Sequence, residues 1–331
     1  MLVPQANPLS NPSAERDGES LSPALHEQPD PLLAPIALFV YNRPEHTRRT
    51  VEALRANDLA RQSDLFVFAD GPKNDSGALA VKAVRDLMRT IDGFKSVTIT
   101  ERERNLGLSK SVISGVTQLC NEYGRAIAVE DDLLTAPDFL SFMNRALQRY
   151  ALEPKIFSIG GFNFSLSVPE DYTYDAYCTY RSISWGWGTW KDRWEKADWN
   201  VPDYASFSRD KNQQRLFNRG GEDLTAMLAL QMTGKIDSWS IRWDYVHFQH
   251  SALALLPVVS RVCNIGFDGT GIHCHHATMK QPVLADGCKR EYRFPNTLEA
   301  ERFFAAEIQR LHRTSFARKL VRYLRHQVGR A

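Results

Sequence analysis

Three consecutive carboxylates, Glu130, Asp131 and Asp132, follow directly on a short apolar run, Ala126-Ile127-Ala128-Val129. Acids this close repel and raise one another's pKa, so the cluster calls for a cation, a turn rich in hydrogen-bond donors, or water. An acidic turn at a strand end is the plain alternative. Arg43 follows an earlier apolar run and Asp70 another. These types suit a nucleotide: arginine neutralises phosphate, a lone aspartate accepts hydrogen bonds from a base or ribose, and an acidic cluster holds a divalent ion against a diphosphate. A second acidic pair, Glu222-Asp223, follows Gly220-Gly221 at the head of a periodic segment. Favourable placement at a helix N-terminus explains such acids without function, while the glycines would admit a substrate. Four tryptophans (185, 187, 190 and 194) fall within ten residues, interleaved with Gly186 and Gly188. They can pack a core or offer flat apolar faces to a sugar, and Trp185 and Trp187 are the candidates for the second role.

The elements that must position these groups read as an alternation. Pro35 to Tyr41 is a near-continuous apolar run of the kind expected for a buried parallel strand, and 45–57 has helical spacing. Strands are expected at 65–69, 96–100, 126–129 and 156–162, with helices at 76–91, from Asn105-Leu106-Gly107 to about 123, and at 137–150. Alternating strands and helices imply right-handed crossovers and a mostly parallel sheet, and such sheets bind ligands beyond the carboxyl ends of their strands. Arg43, Asp70 and the three acids all fall at that edge. Beyond residue 162 the pattern predicts a polar connection with a short helix at 195–219 and a helix at 220–233. The run from Trp239 to Val259 is expected to be buried and ended by Pro257. Asp244, between aromatic residues, is a rival acid to Asp223.

Length and composition bound the rest. The chain has 331 residues, 43% hydrophobic and 24% charged, with 41 basic against 39 acidic side chains. That is ordinary for a soluble globular protein and gives no electrostatic argument for nucleic acid. Five cysteines without a CxxC pair indicate neither a disulfide framework nor a zinc ribbon. His275, His276 and Cys274 are too crowded for a tetrahedral site without distant partners. With no apolar run near bilayer length, the expected location is cytoplasmic. Residues 1–34 have the composition of a disordered leader. The expected division is 35–150 as a nucleotide-sugar half, 151–297 as the acceptor and catalytic half of the same domain, and 298–331 as a basic amphipathic helix. That helix gathers Arg310, Arg313, Arg318, Lys319, Arg322, Arg325 and Arg330, which suits a solvated face or peripheral contact with an anionic membrane.

Val129-Glu130-Asp131-Asp132-Leu133, followed by Ala136-Pro137-Asp138-Phe139, resembles the metal-binding segment of GT-A glycosyltransferases. It is similar above all to the inverting N-acetylglucosaminyltransferase I family, and the likeness extends to Tyr41-Asn42-Arg43 and Asp70. The resemblance implies a Rossmann-like α/β fold with a mostly parallel sheet flanked by helices and an acceptor-side C-terminal subregion. It implies that Tyr41, Arg43 and Asp70 contact a uridine nucleotide, that Asp131 lies near the sugar or ribose, and that Asp132 binds Mn²⁺ or Mg²⁺ bridging a diphosphate. Asn105-Leu106-Gly107 resembles the N-x-G loop of inverting relatives and makes Ser109 and Lys110 further donor-site candidates. A histidine of the family's site has no counterpart in this loop, which leaves the nucleotide open. The family's general base corresponds in order to Glu222-Asp223, giving Asp223 as base and Glu222 as alternate. Ser260 to His273 resembles the closing loop, with His273 as a second metal ligand.

The activity implied is transfer of a hexosyl or N-acetylhexosaminyl group, with inversion, from a UDP-linked donor such as UDP-GlcNAc. The acceptor would be a hydroxyl of a glycan or lipid-linked glycan, as in surface-polysaccharide assembly. Against this stand a sugar-nucleotide pyrophosphorylase, which needs a glycine-rich basic loop that Asn42-Arg43-Pro44 does not supply, a carbohydrate-binding protein without turnover, and a retaining transferase. Neither GxGxxG nor a Walker lysine motif is present, so dinucleotide oxidoreductases and P-loop enzymes lose support.

Overall fold

Unbroken apolar runs that end in polar residues become the centre of the molecule. In the computed structural model, which describes residues 33–268, 282–287 and 291–313, these runs are β1 (Ile36–Val40), β2 (Asp64–Ala69) and β4 (Arg125–Glu130). Between them lie α1 (Pro44–Arg55), α2 (Asp75–Met88), β3 (Ser96–Glu101) and α3 (Leu108–Tyr123). Pro44 opens α1, where a missing N–H costs nothing, and Gly124 closes α3 at φ +75°, a conformation natural to glycine. β1 pairs in parallel with both β2 and β4, and β2 with β3.

The second half completes the same sheet. After β5 (Leu133–Thr135) and α4 (Phe139–Arg149) come β6 (Ile156–Gly160), β7 (Ala176–Thr179) and β8 (Trp187–Trp190). There follow α5 (Lys191–Trp194), α6 (Tyr204–Phe207), α7 (Lys211–Phe217), α8 (Leu224–Met232) and α9 (Trp239–Gln249). β9 (Leu253–Pro257), β10 (Val262–Asn264) and α10 (Arg302–Leu311) end the described chain. The sheet order is β3-β2-β1-β4-β8-β6-β9-β7, with β8 antiparallel to both its neighbours and β7 antiparallel to β9. A separate antiparallel pair, β5 with β10, sits beside the end of β4.

Both faces of the sheet are covered. Val51 and Leu54 of α1, Val84 and Met88 of α2 and the apolar side of α4 bury one face, while Val112, Val116 and Leu119 of α3 bury the other with Trp239 and Trp243 of α9. Each such side chain contributes about 1.5–3 kcal/mol against its own ordering entropy.

Several expectations change here. The glycine-spaced tryptophans form a strand instead of an open surface, because the glycines are where neighbours approach most closely. A Cβ on Gly186 would lie 2.6 Å from Val262, and one on Gly188 would lie 3.0 Å from the Ala126 carbonyl oxygen. Trp187 and Trp190, three apart in one strand, point to opposite faces and are 2% and 5% exposed. The polar connection at 195–219 holds α6 and α7 around Phe207 and Phe217. Of the expected basic helix, α10 is docked on the body: Phe304 stacks on Tyr177 with ring centroids 3.9 Å apart and Ile308 is buried. Residues 1–32 and 314–331, covering most of the expected leader and the end of that helix, lie outside the described residues, as do Cys274, His275 and His276. Among the described residues no helix is long and apolar enough to cross a membrane.

Candidate functional site

β1 and β4 are adjacent and parallel, so the residues just past their carboxyl ends meet. Arg43 Nη2 donates to Asp131 Oδ1 at 2.6 Å and to Asp132 Oδ2 at 2.9 Å. The Tyr41 backbone N–H donates to Asp131 Oδ2 at 3.2 Å, and Thr50 Oγ1 on α1 donates to the Asp131 carbonyl at 2.9 Å. Burial opposes the charge of Arg43, but Asp131 and Asp132 more than offset this and raise its pKa. Burial raises the Asp131 pKa against the pull of Arg43, and burial, Asp132 and Asp131 together push Glu130 well above the usual carboxylate range.

The β5–β10 pair closes this corner. Ile265 N donates to the Asp132 carbonyl at 2.8 Å and leads Gly266 past the carboxylate. A Cβ on Gly266 would stand 2.2 Å from Asp132 Oδ2 and 3.0 Å from Arg43 Nη1, so any larger residue here must displace the Asp132 carboxylate. The strand is held from below by a buried ion pair, Arg261 Nη2 with Asp138 Oδ2 at 3.5 Å, whose partners are 4% and 1% exposed. Tyr292 also donates to Asp138, at 3.1 Å. Asp132 Oδ1 and Arg43 Nη1 are buried without a hydrogen-bond partner among the described residues. An orphaned carboxylate oxygen at a strand end fits a hard cation, which takes oxygen ligands. Among the described residues no three His, Cys, Asp or Glu side chains form a complete set for a metal ion. His273 lies outside the described residues.

The other donor-site candidates divide. Asp70 accepts three backbone N–H groups, from Gly71 at 2.9 Å and Leu106 at 2.9 Å through Oδ1 and from Gly107 at 3.0 Å through Oδ2. Its carboxylate therefore braces the Asn105–Gly107 turn onto the end of β2. Tyr41 Oη accepts from Lys73 N at 3.2 Å, which steadies the segment after β2. Lys110 is exposed on the first turn of α3. Ser109 is 1% exposed and its Oγ accepts from Arg242 Nη2 at 2.6 Å, so it links α3 to α9 instead of facing a ligand.

A wall of rings leads away from the acids. Phe267, next to Gly266, lies 5.7 Å from Trp185; Trp185 is 4.6 Å from Phe162, Phe162 is 5.3 Å from Phe164, and Phe164 is 5.1 Å from His312. Trp185 is half-buried in this wall. Trp187 is not part of it. It stacks on Trp239 at 4.8 Å and neighbours Trp194 and Trp243, a core role that corrects its expected place against the acceptor.

At the far end stands the second acidic pair. Arg181 holds Asp223 through both oxygens, Nη1 to Oδ1 at 2.9 Å and Nη2 to Oδ2 at 3.0 Å. Gly221, at φ +146°, lets this pair and His312 converge: a Cβ there would meet Arg181 Nη1 and Asp223 Oδ1 at 2.6 Å and His312 Cβ at 3.1 Å. Glu222 is approached by Arg313 Nε at 3.6 Å. Asp244 lies beneath, its Oδ1 accepting from Ser182 N at 2.7 Å and Ser182 Oγ at 2.8 Å, and burial pushes its carboxyl up to about 6. Arg181 and His312 have no sequence signal of their own. One precedes the tryptophan strand and the other ends α10, and only the folded chain brings them to Asp223.

The mixed α/β architecture, with its large, mostly parallel sheet flanked by helices, is consistent with the Rossmann-like GT-A class. No family model matches the chain. Similar solved structures include a mannosyltransferase from Pyrobaculum calidifontis in complex with GDP-Man and Mn²⁺, at 12% identity over 68% of this chain and 71% of that one, TM-score 0.37. Another is TarS of S. aureus, at 13% identity over 50% of this chain, which spans only 30% of that protein, TM-score 0.32. A third is a UDP-glucose pyrophosphorylase complexed with UDP-glucose, at 9% identity over 68% of this chain and 90% of that one, TM-score 0.32. At these scores the likenesses carry no conclusion about reaction or ligand.

Proposed function

We propose that the chain is a metal-dependent, inverting glycosyltransferase that takes a sugar from a nucleotide-diphospho-sugar, UDP-linked as the sequence resemblance implies, to a hydroxyl of a glycan or lipid-linked acceptor. The observation that carries this reading is the meeting of Arg43, Asp131 and Asp132 under Gly266 at the carboxyl edge of β1 and β4, with Asp132 Oδ1 buried and unpartnered among the described residues. Asp132 would hold Mn²⁺ or Mg²⁺ through that oxygen, and the chemistry so supplied is neutralisation of charge on the departing diphosphate. Arg43 adds a guanidinium suited to phosphate oxygens. Asp70 shapes the turn ahead of α3, and with Tyr41 it lies on the nucleoside side. Trp185, half-buried between Phe162 and Phe267, is the acceptor-side candidate of this reading.

Asp223 takes the proton of the attacking hydroxyl in this reading. A carboxylate has about four acceptor positions, so the two bonds from Arg181 orient it and leave a lone pair on each oxygen. Glu222 is the alternate base. Asp244 is 6% exposed and occupied by Ser182, which suits a supporting role.

The test is thermal stabilisation of the full chain by a panel of nucleotide sugars with and without Mn²⁺, since a ligand bound by the folded state raises its melting temperature. The true donor should stabilise the wild type only when Mn²⁺ is present, and Asp132→Ala should remove that effect. Stabilisation by a sugar nucleotide that persists in Asp132→Ala with unchanged metal dependence would overturn the assignment of Asp132.

A further inference from the structure

The corner where β1 and β4 end already contains a cation, and it belongs to the protein. One guanidinium nitrogen, Arg43 Nη2, bonds carboxylate oxygens of both Asp131 and Asp132. The Asp131 and Asp132 side chains are 7% and 9% exposed, while that of Arg43 retains 20%. The acids are thus fixed in the interior and the arginine is the partner with access to solvent. Its other terminal nitrogen, Nη1, is buried beside Gly266 with no acceptor among the described residues, so the present arrangement uses the guanidinium incompletely. Asp132 Oδ1 is likewise buried without a donor. Two groups of opposite charge each keep a bonding position unfilled while bound to one another.

We propose that Arg43 is a resident counter-ion that holds divalent cations off Asp132 until a nucleoside diphosphate draws the guanidinium away. The inference rests on the donor-site reading above and adds an order to it. With Arg43 on both acids, an incoming divalent ion meets a like charge at hydrogen-bonding distance from its own ligand, and the surroundings screen that repulsion poorly. A diphosphate offers Arg43 a bidentate acceptor, a better match to a planar guanidinium than one nitrogen shared between two carboxylates. Moving Arg43 onto phosphate frees Asp132 Oδ2 and removes the repulsion together. Nucleotide and metal therefore favour each other's binding through this chain's own residue, beyond any ligand atoms they share, and the coupling is reciprocal.

The experiment is Mn²⁺ binding to the full chain, followed by electron paramagnetic resonance of free Mn²⁺, for the wild type and Arg43→Gln, each with and without UDP as the probe. Arg43→Gln should bind Mn²⁺ alone at least about tenfold more tightly than the wild type, about 1.4 kcal/mol. UDP should raise Mn²⁺ affinity by a larger factor in the wild type than in the variant. Adding Asp132→Asn should abolish the gain, which places it at this site. Mn²⁺ affinity in Arg43→Gln equal to or weaker than wild type would overturn the proposal, because Arg43 would then support the ion. Should the uncompensated acids prevent Arg43→Gln from folding, the same comparison is made between Asp131→Asn and Asp131→Asn with Arg43→Gln, with the same sign expected. A wild type that binds neither UDP nor Mn²⁺ in the other's presence is a failure of the donor-site reading itself. Intact UDP and Mn²⁺ binding without the gain sinks the counter-ion role alone.

Discussion

Replacing Asp244 by asparagine should make the protein more stable at neutral pH while leaving its local hydrogen bonds in place. The Asp244 carboxyl is buried, and burial raises its pKa from 3.8 to about 6 against the pull of Arg181 and the two Ser182 bonds. At about 1.4 kcal/mol per tenfold change in proton affinity, keeping this group ionised inside the fold at neutral pH costs about 3 kcal/mol. The sign follows from proton binding. Between pH 3.8 and about 6 the folded chain holds a proton that the unfolded chain releases, so this group's contribution to stability falls as pH rises through that window and its full cost stands above it. Both bonds from Ser182 go to one oxygen, Oδ1, which an asparagine carbonyl can replace. Urea unfolding of wild type and Asp244→Asn at pH 4, 6 and 8 should show the variant ahead at pH 8 by up to about 3 kcal/mol, with the gap closing towards pH 4. A variant less stable than wild type at pH 8, or a gap that does not change with pH, refutes the reasoning. Turnover in the same variant separates roles: an enzyme that stays active has its base elsewhere.

Trp187→Ala should cost about 3–5 kcal/mol in thermal or urea unfolding, because the side chain is sealed among other tryptophans. Trp185→Ala should leave the fold intact and weaken saturation by the acceptor, read as a rise in acceptor KM with donor binding unchanged; the reverse pattern would return Trp187 to the acceptor site. Gly266→Ala puts a methyl group 2.2 Å from Asp132 Oδ2. It should lower stability by about 1–3 kcal/mol and reduce Mn²⁺ affinity in the presence of UDP, measured by calorimetry; unchanged metal binding would show that the Gly266 contact does not shape the site.

The first half of the chain was readable because its signals are local. Apolar runs such as Leu65 to Ala69 need no partner to declare themselves as buried strands, and Asn42-Arg43-Pro44 or Asp70-Gly71-Pro72 mark where they stop. That Arg43, Asp131 and Asp132 share an edge follows from the βαβ alternation alone. Features made by closure of the chain left little trace. β5 and β10 have three residues each, too few for a periodic pattern, yet their pairing carries Gly266 to Asp132. Ser109 looked available beside a glycine turn until Arg242, 133 residues away, took its hydroxyl. The tryptophan stretch is ambiguous in sequence for a related reason. Gly186 and Gly188 signal close approach, and sequence does not say whether a ligand or the protein itself comes close.

The partition of the tryptophans has an optical consequence. Five of the seven, Trp187, Trp194, Trp199, Trp239 and Trp243, stack or tilt against one another on one face of the sheet, and Trp190 lies on the other under Arg193. Rings at such separations exchange excitation, and all but the half-buried Trp199 are shielded from water, so their emission and near-ultraviolet dichroism report the integrity of the fold. Trp185 stands apart, edge-on to Phe267 beside the Asp132 corner. A wavelength shift on filling the site that disappears in Trp185→Phe is therefore assigned to the ring beside the Asp132 corner.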